Sequence, residues 1–179
     1  MRRVERGSTM LVALDLLRLG ASDRNLYLYD TFSGMSEPTE KDININGTAA
    51  LPKWKSLMRG SINDWDYAPL NDVQANVLST GYSADHIHFV EGKVEDTIPG
   101  TLPAKIALLR LDTDWYESTL HELTHLFPRL VRGGVLIIDD YGHWKGAHQA
   151  VDEYLAKHGI KLLLNRIDYT GRIGIKSGI

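Results

Sequence analysis

Hydrophobic and polar residues along the chain follow two alternating periods, one typical of amphipathic helices and the other of buried strands. The first segment predicts a helix that ends at Gly20. The inward face of this helix is formed by Met10, Leu11, Leu14 and Leu17. A short apolar run over residues 25–30 then predicts a buried strand. A second helix over residues 69–81 and a second strand over residues 87–90 repeat this order.

The second half of the chain continues the alternation with stronger signals. A strand over residues 106–111 is followed by a helix that ends at the pair Gly133-Gly134. The apolar face of this helix is formed by Tyr116, Leu120, Leu123, Phe127 and Leu130. Residues 135–138 are all apolar, which is typical of a strand buried on both faces of a parallel sheet. A helix over residues 147–159 and an antiparallel hairpin over residues 161–176 complete the prediction.

Strands that alternate with helices predict a single α/β domain over residues 1–179. The expected sheet is doubly wound, mostly parallel and Rossmann-like, with the hairpin as its antiparallel end. Right-handed crossovers place the carboxyl ends of parallel strands along one edge of such a sheet. We therefore expect the acidic residues that directly follow these strands to share that edge. They are Asp30, Glu91, Asp112 and Asp139.

Residues 31–66 are the exception to the alternation, because they form a connection too long for an ordinary loop. We predict a lid or substrate loop there, and the alternative is a partly disordered insertion. Trp54 and Trp65 offer flat apolar faces of the kind that bury a sugar or aryl ring. The alternative for both tryptophans is that they only fix the loop to the core.

Composition changes this picture mainly by exclusion. The 179 residues carry a formal net charge of -3 and no cysteine, which rules out disulfides, a thiolate nucleophile and cysteine-ligated metals. Positive and negative charges are interspersed, so we expect no nucleic-acid partner. The apolar stretch over residues 10–20 is interrupted by Asp15 and Arg18 and is too short to span a bilayer. We therefore expect a cytoplasmic protein without a membrane partner.

Asp112, Asp139 and Asp140 form the clearest candidate site, since they follow two strands joined by one helical crossover. Three carboxylates supply the hard oxygen ligands that magnesium or calcium prefers. Asp114 adds a fourth carboxylate two residues after Asp112. The alternative is that these aspartates cap helices or are solvated. The convergence of an aspartate pair with an Asp-x-Asp motif favours a metal site.

Residues 121–125 read His-Glu-Leu-Thr-His, a short pattern that binds zinc in metallohydrolases. We expect both histidines to face solvent, because they lie opposite the apolar face of their helix. The extended form of the motif is missing, since Pro128 and Val131 occupy the positions of its glycine and third histidine. A zinc hydrolase with Glu153 as a distant third ligand is therefore the weaker alternative.

Asp30 stands where dinucleotide-binding sheets place a carboxylate for ribose hydroxyls, which indicates an adenosyl ligand. Such sites also need a strand and a glycine-rich turn before that position. Here the segment before the first helix is residues 4–8, and Gly7 is its one glycine. Gly7 is either part of a cofactor-binding turn or a simple helix start.

Distinctive motifs lie at residues 29–35, 94–99, 111–118, 138–142 and 150–154. Together they resemble the macrocin O-methyltransferase family over nearly the whole chain. The resemblance implies the class I methyltransferase fold and a magnesium-assisted transfer from S-adenosylmethionine to a hydroxyl of a sugar or phenolic, antibiotic-like molecule. It implies that Mg²⁺ binds to Asp112, Asp139 and Asp140, and that the catalytic residues are Asp112 as a ligand and Asp114 as the base. The residues implied near the adenosyl group are Asp30, Glu91, Gly92 and Glu95.

The chain departs from the family at its beginning. Family members start with an additional strand and a glycine-rich turn, so we expect that strand to be missing or reduced to residues 2–4 here. The chain is then either a shortened form of a longer enzyme or a member whose cofactor site lacks one wall. The second case predicts a non-catalytic protein that binds a metal or a partner. The sequence leaves open whether the chain forms a homo-oligomer.

Overall fold

The computed structural model describes residues 7–177, which form two compact units. Within these residues, one unit comprises residues 7–36 together with Leu57–Lys93, and the other comprises Glu37–Ser56 and residues 94–177. In chain order, the helices and strands are α1 (Gly7–Arg18), β1 (Leu26–Asp30), α2 (Leu51–Ser56), β2 (Met58–Arg59), β3 (Ile62–Asn63), α3 (Leu70–Leu78), β4 (Ile87–Glu91), α4 (Val94–Thr97), β5 (Ile106–Leu111), α5 (Tyr116–Leu126), β6 (Leu130–Ile138), α6 (Lys145–Lys157), β7 (Asn165–Arg166) and β8 (Arg172–Ile175).

The first unit is built around the parallel pair β1 and β4, which sets Asp30 opposite Glu91 at their carboxyl ends. Its core includes the buried side chains of Ala13, Leu28, Val73, Val77, Tyr82 and Ile87. Both predicted strands and the predicted α3 helix are confirmed. The strand expected at residues 2–4 lies outside the described part of the chain.

The predicted inward face of α1 is wrong in part. Ala13 is fully buried, and Met10 and Leu17 pack against the core. Leu11 and Leu14, by contrast, are 61% and 48% exposed. The helix contains two overlapping apolar stripes, and periodicity alone does not choose between them. A small side chain such as that of Ala13 permits close packing, which favours the stripe that contains it.

The second unit contains a four-stranded sheet in the order β5, β6, β8, β7. β5 and β6 are parallel, with Leu111 opposite Ile138, whereas β8 runs antiparallel to both of its neighbours. Helices α5 and α6 contact each other, and Leu123, Leu136 and Val151 are completely buried. The predicted α/β class, with parallel strand pairs and a C-terminal antiparallel hairpin, is confirmed.

Helix α5 ends earlier than predicted. It stops at Leu126, and a short 3₁₀ turn at Phe127–Arg129 follows, whereas Gly133 and Gly134 lie inside β6. Pro128 has no backbone N–H to donate to the carbonyl four residues earlier, so the α-helical hydrogen-bond ladder stops before it, and Phe127, still in the αR region, begins the 3₁₀ turn. Among the described residues, no helix, α5 included, is long and apolar enough to cross a lipid bilayer.

Candidate functional site

The carboxyl ends of β5 and β6 bring acidic residues together. The backbone N–H of Asp139 donates to the carbonyl of Leu111 at 2.9 Å, which keeps the two strand ends aligned. Beyond this bond, one carboxylate oxygen from each of Asp112, Asp114 and Asp140 lies within 4.8 Å of the others. The segment after β5 therefore lies beside the segment after β6, as the alternation of strands and helices predicted.

Arg110 joins Asp112 to Asp139, and sequence reasoning missed it. Its guanidinium donates from Nη1 to Asp112 Oδ2 at 2.6 Å and from Nη2 to Asp139 Oδ2 at 2.7 Å. Arg110 and Asp112 are two residues apart in an extended segment, so their side chains leave the same face. This spacing of two residues was the signal in the sequence that could have indicated the pairing of Arg110 with Asp112. The predicted ligands and the observed group of three carboxylates share Asp112 and Asp140, while Asp139 is bonded to Arg110.

Asp114 occupies a distinctive turn between β5 and α5. Its φ is 65°, and the N–H of Trp115 donates to the carbonyl of Thr113 at 2.8 Å. The Asp114 carboxylate accepts a hydrogen bond from Trp144 Nε1 at 3.1 Å. The residue before α5 is Trp115, whose side chain makes no capping bond.

The cap of α5 comes instead from Asp42, another residue that sequence reasoning missed. Asp42 is fully buried, and its Oδ1 accepts from the N–H of Tyr116 at 2.8 Å. Its Oδ2 accepts from the N–H and hydroxyl of Thr39 at 2.7 and 2.9 Å. The N–H of Lys145 donates to the carbonyl of Ile43 at 2.9 Å. These bonds tie one part of the predicted lid segment to the starts of α5 and α6.

The electrostatics of the carboxylate group fit a bound cation. Asp140 Oδ2 is buried, and nothing in the described part of the chain hydrogen-bonds to it. Burial, followed by the nearby Asp114 carboxylate, raises the pKa of Asp140. Burial also raises the pKa of Asp112, against the opposing effect of Arg110. A buried acceptor without a partner, among other carboxylates, is stabilised by a positive charge, and an all-oxygen donor set suits Mg²⁺.

The His-Glu-Leu-Thr-His segment does not adopt the arrangement of a zinc site. Glu122 is buried and accepts from the Thr113 hydroxyl at 2.9 Å, and burial raises its pKa to about 8. His121 is half-buried, with Nε2 at 2.9 Å from the carbonyl of Ile98, so its predicted solvent exposure is wrong. Over residues 7–177, the group of three potential ligands is Asp112, Asp114 and Asp140.

Glu153, the distant third zinc ligand considered above, is engaged elsewhere. Its carboxylate accepts from the Tyr116 hydroxyl at 2.6 Å and from the Gln149 side-chain amide at 2.7 Å. These bonds, with the Tyr116 bond as the larger cause, lower the pKa of Glu153. The weaker alternative of a zinc hydrolase therefore gains no support from the geometry.

The residues expected near an adenosyl group divide between the two units. In the first unit, the N–H of Gly92 donates to the Asp30 carbonyl at 2.9 Å, and Asp30 Oδ1 accepts from the N–H of Phe32 at 2.7 Å. Asp30 is thus adjacent to Glu91 and Gly92, as predicted. Gly7, in the same unit, is the first residue of α1, whereas Glu95 lies on α4 in the second unit.

Trp54 and Trp65 differ in exposure. Trp65 is 8% exposed, and its carbonyl accepts from the N–H of Met35 at 3.1 Å. Trp54 is half-buried on α2. Burial and backbone bonding favour an anchoring role for Trp65, while Trp54 keeps a partly accessible ring.

The chain matches a family model described as macrocin-O-methyltransferase (TylF) over residues 3–173. It is 33% identical over 165 residues to the 8-demethyl-8-(2,3-dimethoxy-alpha-L-rhamnosyl)-tetracenomycin-C 4'-O-methyltransferase of Streptomyces olivaceus, covering 92% of this chain and 60% of that protein. It is 32% identical over 169 residues to the mycinamicin III 3''-O-methyltransferase of Micromonospora griseorubida, covering 94% and 64%. The chain thus spans less than two thirds of the length of these relatives.

A solved structure of the O-methyltransferase NovP is similar to this chain. The TM-score is 0.81 at 30% identity, and the match covers 96% of this chain and 68% of NovP. The class I methyltransferase fold and the family resemblance drawn from the sequence motifs are therefore confirmed.

Proposed function

Because the chain belongs to the macrocin-O-methyltransferase (TylF) family, we propose that it transfers a methyl group from S-adenosylmethionine to a hydroxyl of a small-molecule acceptor. The observation that carries the proposal is the group of carboxylates after β5 and β6, in which Asp140 keeps a buried oxygen without a described partner. The proposed acceptor is a sugar or phenolic ring of an antibiotic-like metabolite, since two relatives are named for a rhamnosyl tetracenomycin and for mycinamicin III.

We assign Asp112, Asp139 and Asp140 as the residues that would hold Mg²⁺. A magnesium ion there would polarise the acceptor hydroxyl and lower its pKa. The chain's own part is to fix the ligands, since the hydrogen bond from Asp139 to Leu111 aligns the segments that carry them. Oxygen ligands that are aligned in advance lose little freedom when a cation binds.

Asp114 is the proposed general base. Its left-handed backbone conformation and the bond from Trp144 give the carboxylate a defined direction. A base needs such a direction, because it must lie within hydrogen-bond reach of the proton that it removes. Asp114 would take the hydroxyl proton as the acceptor oxygen forms its bond to the methyl carbon and the sulfur of S-adenosylmethionine leaves.

Asp30 is the proposed partner of the ribose hydroxyls of S-adenosylmethionine. One of its oxygens accepts from the N–H of Phe32, which fixes the carboxylate at the end of β1. The proposal keeps Glu91, Gly92, Glu95 and Gly7 as further cofactor-binding residues. It requires no nucleic-acid or membrane partner.

Calorimetric titration with S-adenosylmethionine in the presence of Mg²⁺ tests the cofactor part of this proposal. We expect one binding site, and at least about tenfold weaker binding for Asp30→Asn, because a charge-assisted hydrogen bond is lost while an acceptor for Phe32 is kept. Asp15→Asn, an exposed position on α1, is the matched control. Folded protein that gives no heat of binding would favour the non-catalytic alternative.

A further inference from the structure

We propose that Arg110 is a tethered cation that stabilises the metal-free carboxylates and sets their affinity for Mg²⁺ by competing for them. The inference rests on the proposed function, because it takes Asp112 and Asp139 as ligands. It adds a residue that neither the family resemblance nor the zinc alternative assigns.

The bonding of Arg110 is the first argument. Its two terminal nitrogens reach carboxylates on two different segments, Asp112 after β5 and Asp139 after β6, at 2.6 and 2.7 Å. The planar guanidinium is suited to this forked arrangement, whereas a lysine ammonium acts as a point charge. The Arg110 side chain is 31% exposed, so the two bonds are only partly screened by water.

The distribution of charge is the second argument. Asp112 and Asp139 each form an ion pair with Arg110 through one carboxylate oxygen. Asp140, by contrast, has a buried carboxylate oxygen without a described hydrogen-bond partner. The guanidinium of Arg110 thus neutralises Asp112 and Asp139 in part, whereas within the described residues it makes no bond to this buried oxygen of Asp140. A divalent cation that binds Asp112, Asp139 and Asp140 must share Asp112 and Asp139 with Arg110 or displace it.

Two opposite effects on the protein follow from this competition. Without a divalent cation, Arg110 reduces repulsion among the carboxylates and so stabilises the fold. When a cation binds, the positive charge of Arg110 and its hold on two ligands weaken the binding. A residue that only supports the fold would lack the second effect.

The test combines calorimetry with Mg²⁺ and melting curves recorded in EDTA. Arg110→Met keeps the aliphatic length and removes the charge, and we expect a lower melting temperature in EDTA together with Mg²⁺ binding tighter by about tenfold, the scale on which a neighbouring charge shifts an ionic equilibrium. Arg129→Met is the matched control, since Arg129 donates to the carbonyl of Pro103. It should leave Mg²⁺ affinity unchanged.

Arg110→Lys covers the case in which Arg110→Met does not fold. It keeps the charge but cannot fork between two carboxylates, so we expect an intermediate gain in Mg²⁺ affinity. Equal or weaker Mg²⁺ binding by the folded variants, with normal binding by the unmodified protein, would overturn the role of Arg110 alone. If the unmodified protein and all variants bind no Mg²⁺, both this inference and the proposed metal site fail.

Discussion

Asp112 and Asp114 are separated by one residue, yet the backbone gives them different surroundings. Asp112 directly follows β5 and pairs with Arg110. Asp114 adopts a φ of 65° and accepts a bond from Trp144. The pairing of Asp112 with Arg110 supports a ligand that exchanges a guanidinium for Mg²⁺. The turn and hydrogen bond at Asp114 support a base whose carboxylate has a fixed direction.

Asparagine substitutions separate these two roles. For Asp112→Asn we expect weaker Mg²⁺ binding and partial recovery of turnover at high Mg²⁺, because one charged ligand is lost. For Asp114→Asn we expect turnover to fall by roughly two to four powers of ten without recovery at high Mg²⁺, since proton transfer is lost. Single-turnover rates across a Mg²⁺ titration measure both. A fully active Asp114→Asn variant would contradict the assignment of the base.

Glu122 makes stability depend on pH. Burial raises its pKa from 4.5 to about 8, so the folded state holds this proton more tightly than the unfolded state does. The stabilisation is fully present below the unfolded pKa and is lost as pH rises through the folded value. Glu122→Gln cannot ionise and keeps an acceptor for Thr113. We therefore expect this variant to melt several degrees above the unmodified protein at alkaline pH and near it at acidic pH.

Melting curves over a pH series measure this effect. Glu117→Gln is the control, because that side chain lies on the same helix and is 56% exposed. The melting temperature of Glu117→Gln should change with pH in the same way as that of the unmodified protein. If the melting temperature of Glu122→Gln also followed that of the unmodified protein at every pH, the folded state would not raise the pKa of Glu122.

At the scale of elements, the strands that alternate with helices could be predicted, whereas β2, β3 and several contacts between distant residues could not. Residues 106–111 follow a pattern that is set locally, and the strand has these bounds. Asp42, however, caps a helix that starts 74 positions later, and no local pattern reports such a contact. The burial of Glu122 could not be predicted for the same reason. Periodicity assigns charged residues to the exposed face of a helix unless a hydrogen-bond partner such as Thr113 is known.

The segment after β1 offers a matched pair of glycines for testing how tightly it packs. A Cβ at Gly34 would lie 1.8 Å from the carbonyl oxygen of Asn63, whereas a Cβ at Gly47 would meet nothing within 4 Å. Both residues have a positive φ, 90° and 88°. We expect Gly47→Ala to cost about 1 kcal/mol in unfolding free energy, from backbone strain alone, and Gly34→Ala to cost clearly more. Denaturant unfolding measures both, and equal losses would contradict the close contact.

At the scale of the whole molecule, the residues proposed to bind Mg²⁺ and most of those proposed to bind S-adenosylmethionine belong to different units. The proposed Mg²⁺ ligands all belong to the second unit, whereas Asp30, Glu91 and Gly92 belong to the first. The sequence placed Asp30, Glu91, Asp112 and Asp139 at strand ends, where the structure has them, but its alternation of helices and strands gave no sign of the two units. The two units are defined by contacts between residues that are distant in the sequence. A local pattern of hydrophobic and polar residues does not report such contacts.

Hydrogen exchange tests this assignment of Mg²⁺ to one unit. We expect Mg²⁺ alone to slow exchange in peptides that cover residues 110–116 and 138–144, because cation binding stabilises the loops that supply the ligands. Peptides that cover residues 26–34 and 87–92 should be unchanged. Mass spectrometry of the exchanged peptides gives the answer, and slowing confined to the first unit would place the cation elsewhere.

The most direct test of the proposed function is to measure transfer of a labelled methyl group from S-adenosylmethionine. The panel of acceptors includes a rhamnosylated tetracenomycin and mycinamicin III. We predict transfer to a hydroxyl that stops in EDTA, returns with Mg²⁺ and falls sharply in Asp140→Asn, because that substitution removes a charged ligand from the carboxylate group. Transfer that continues undiminished both in EDTA and in Asp140→Asn would contradict the role of these carboxylates.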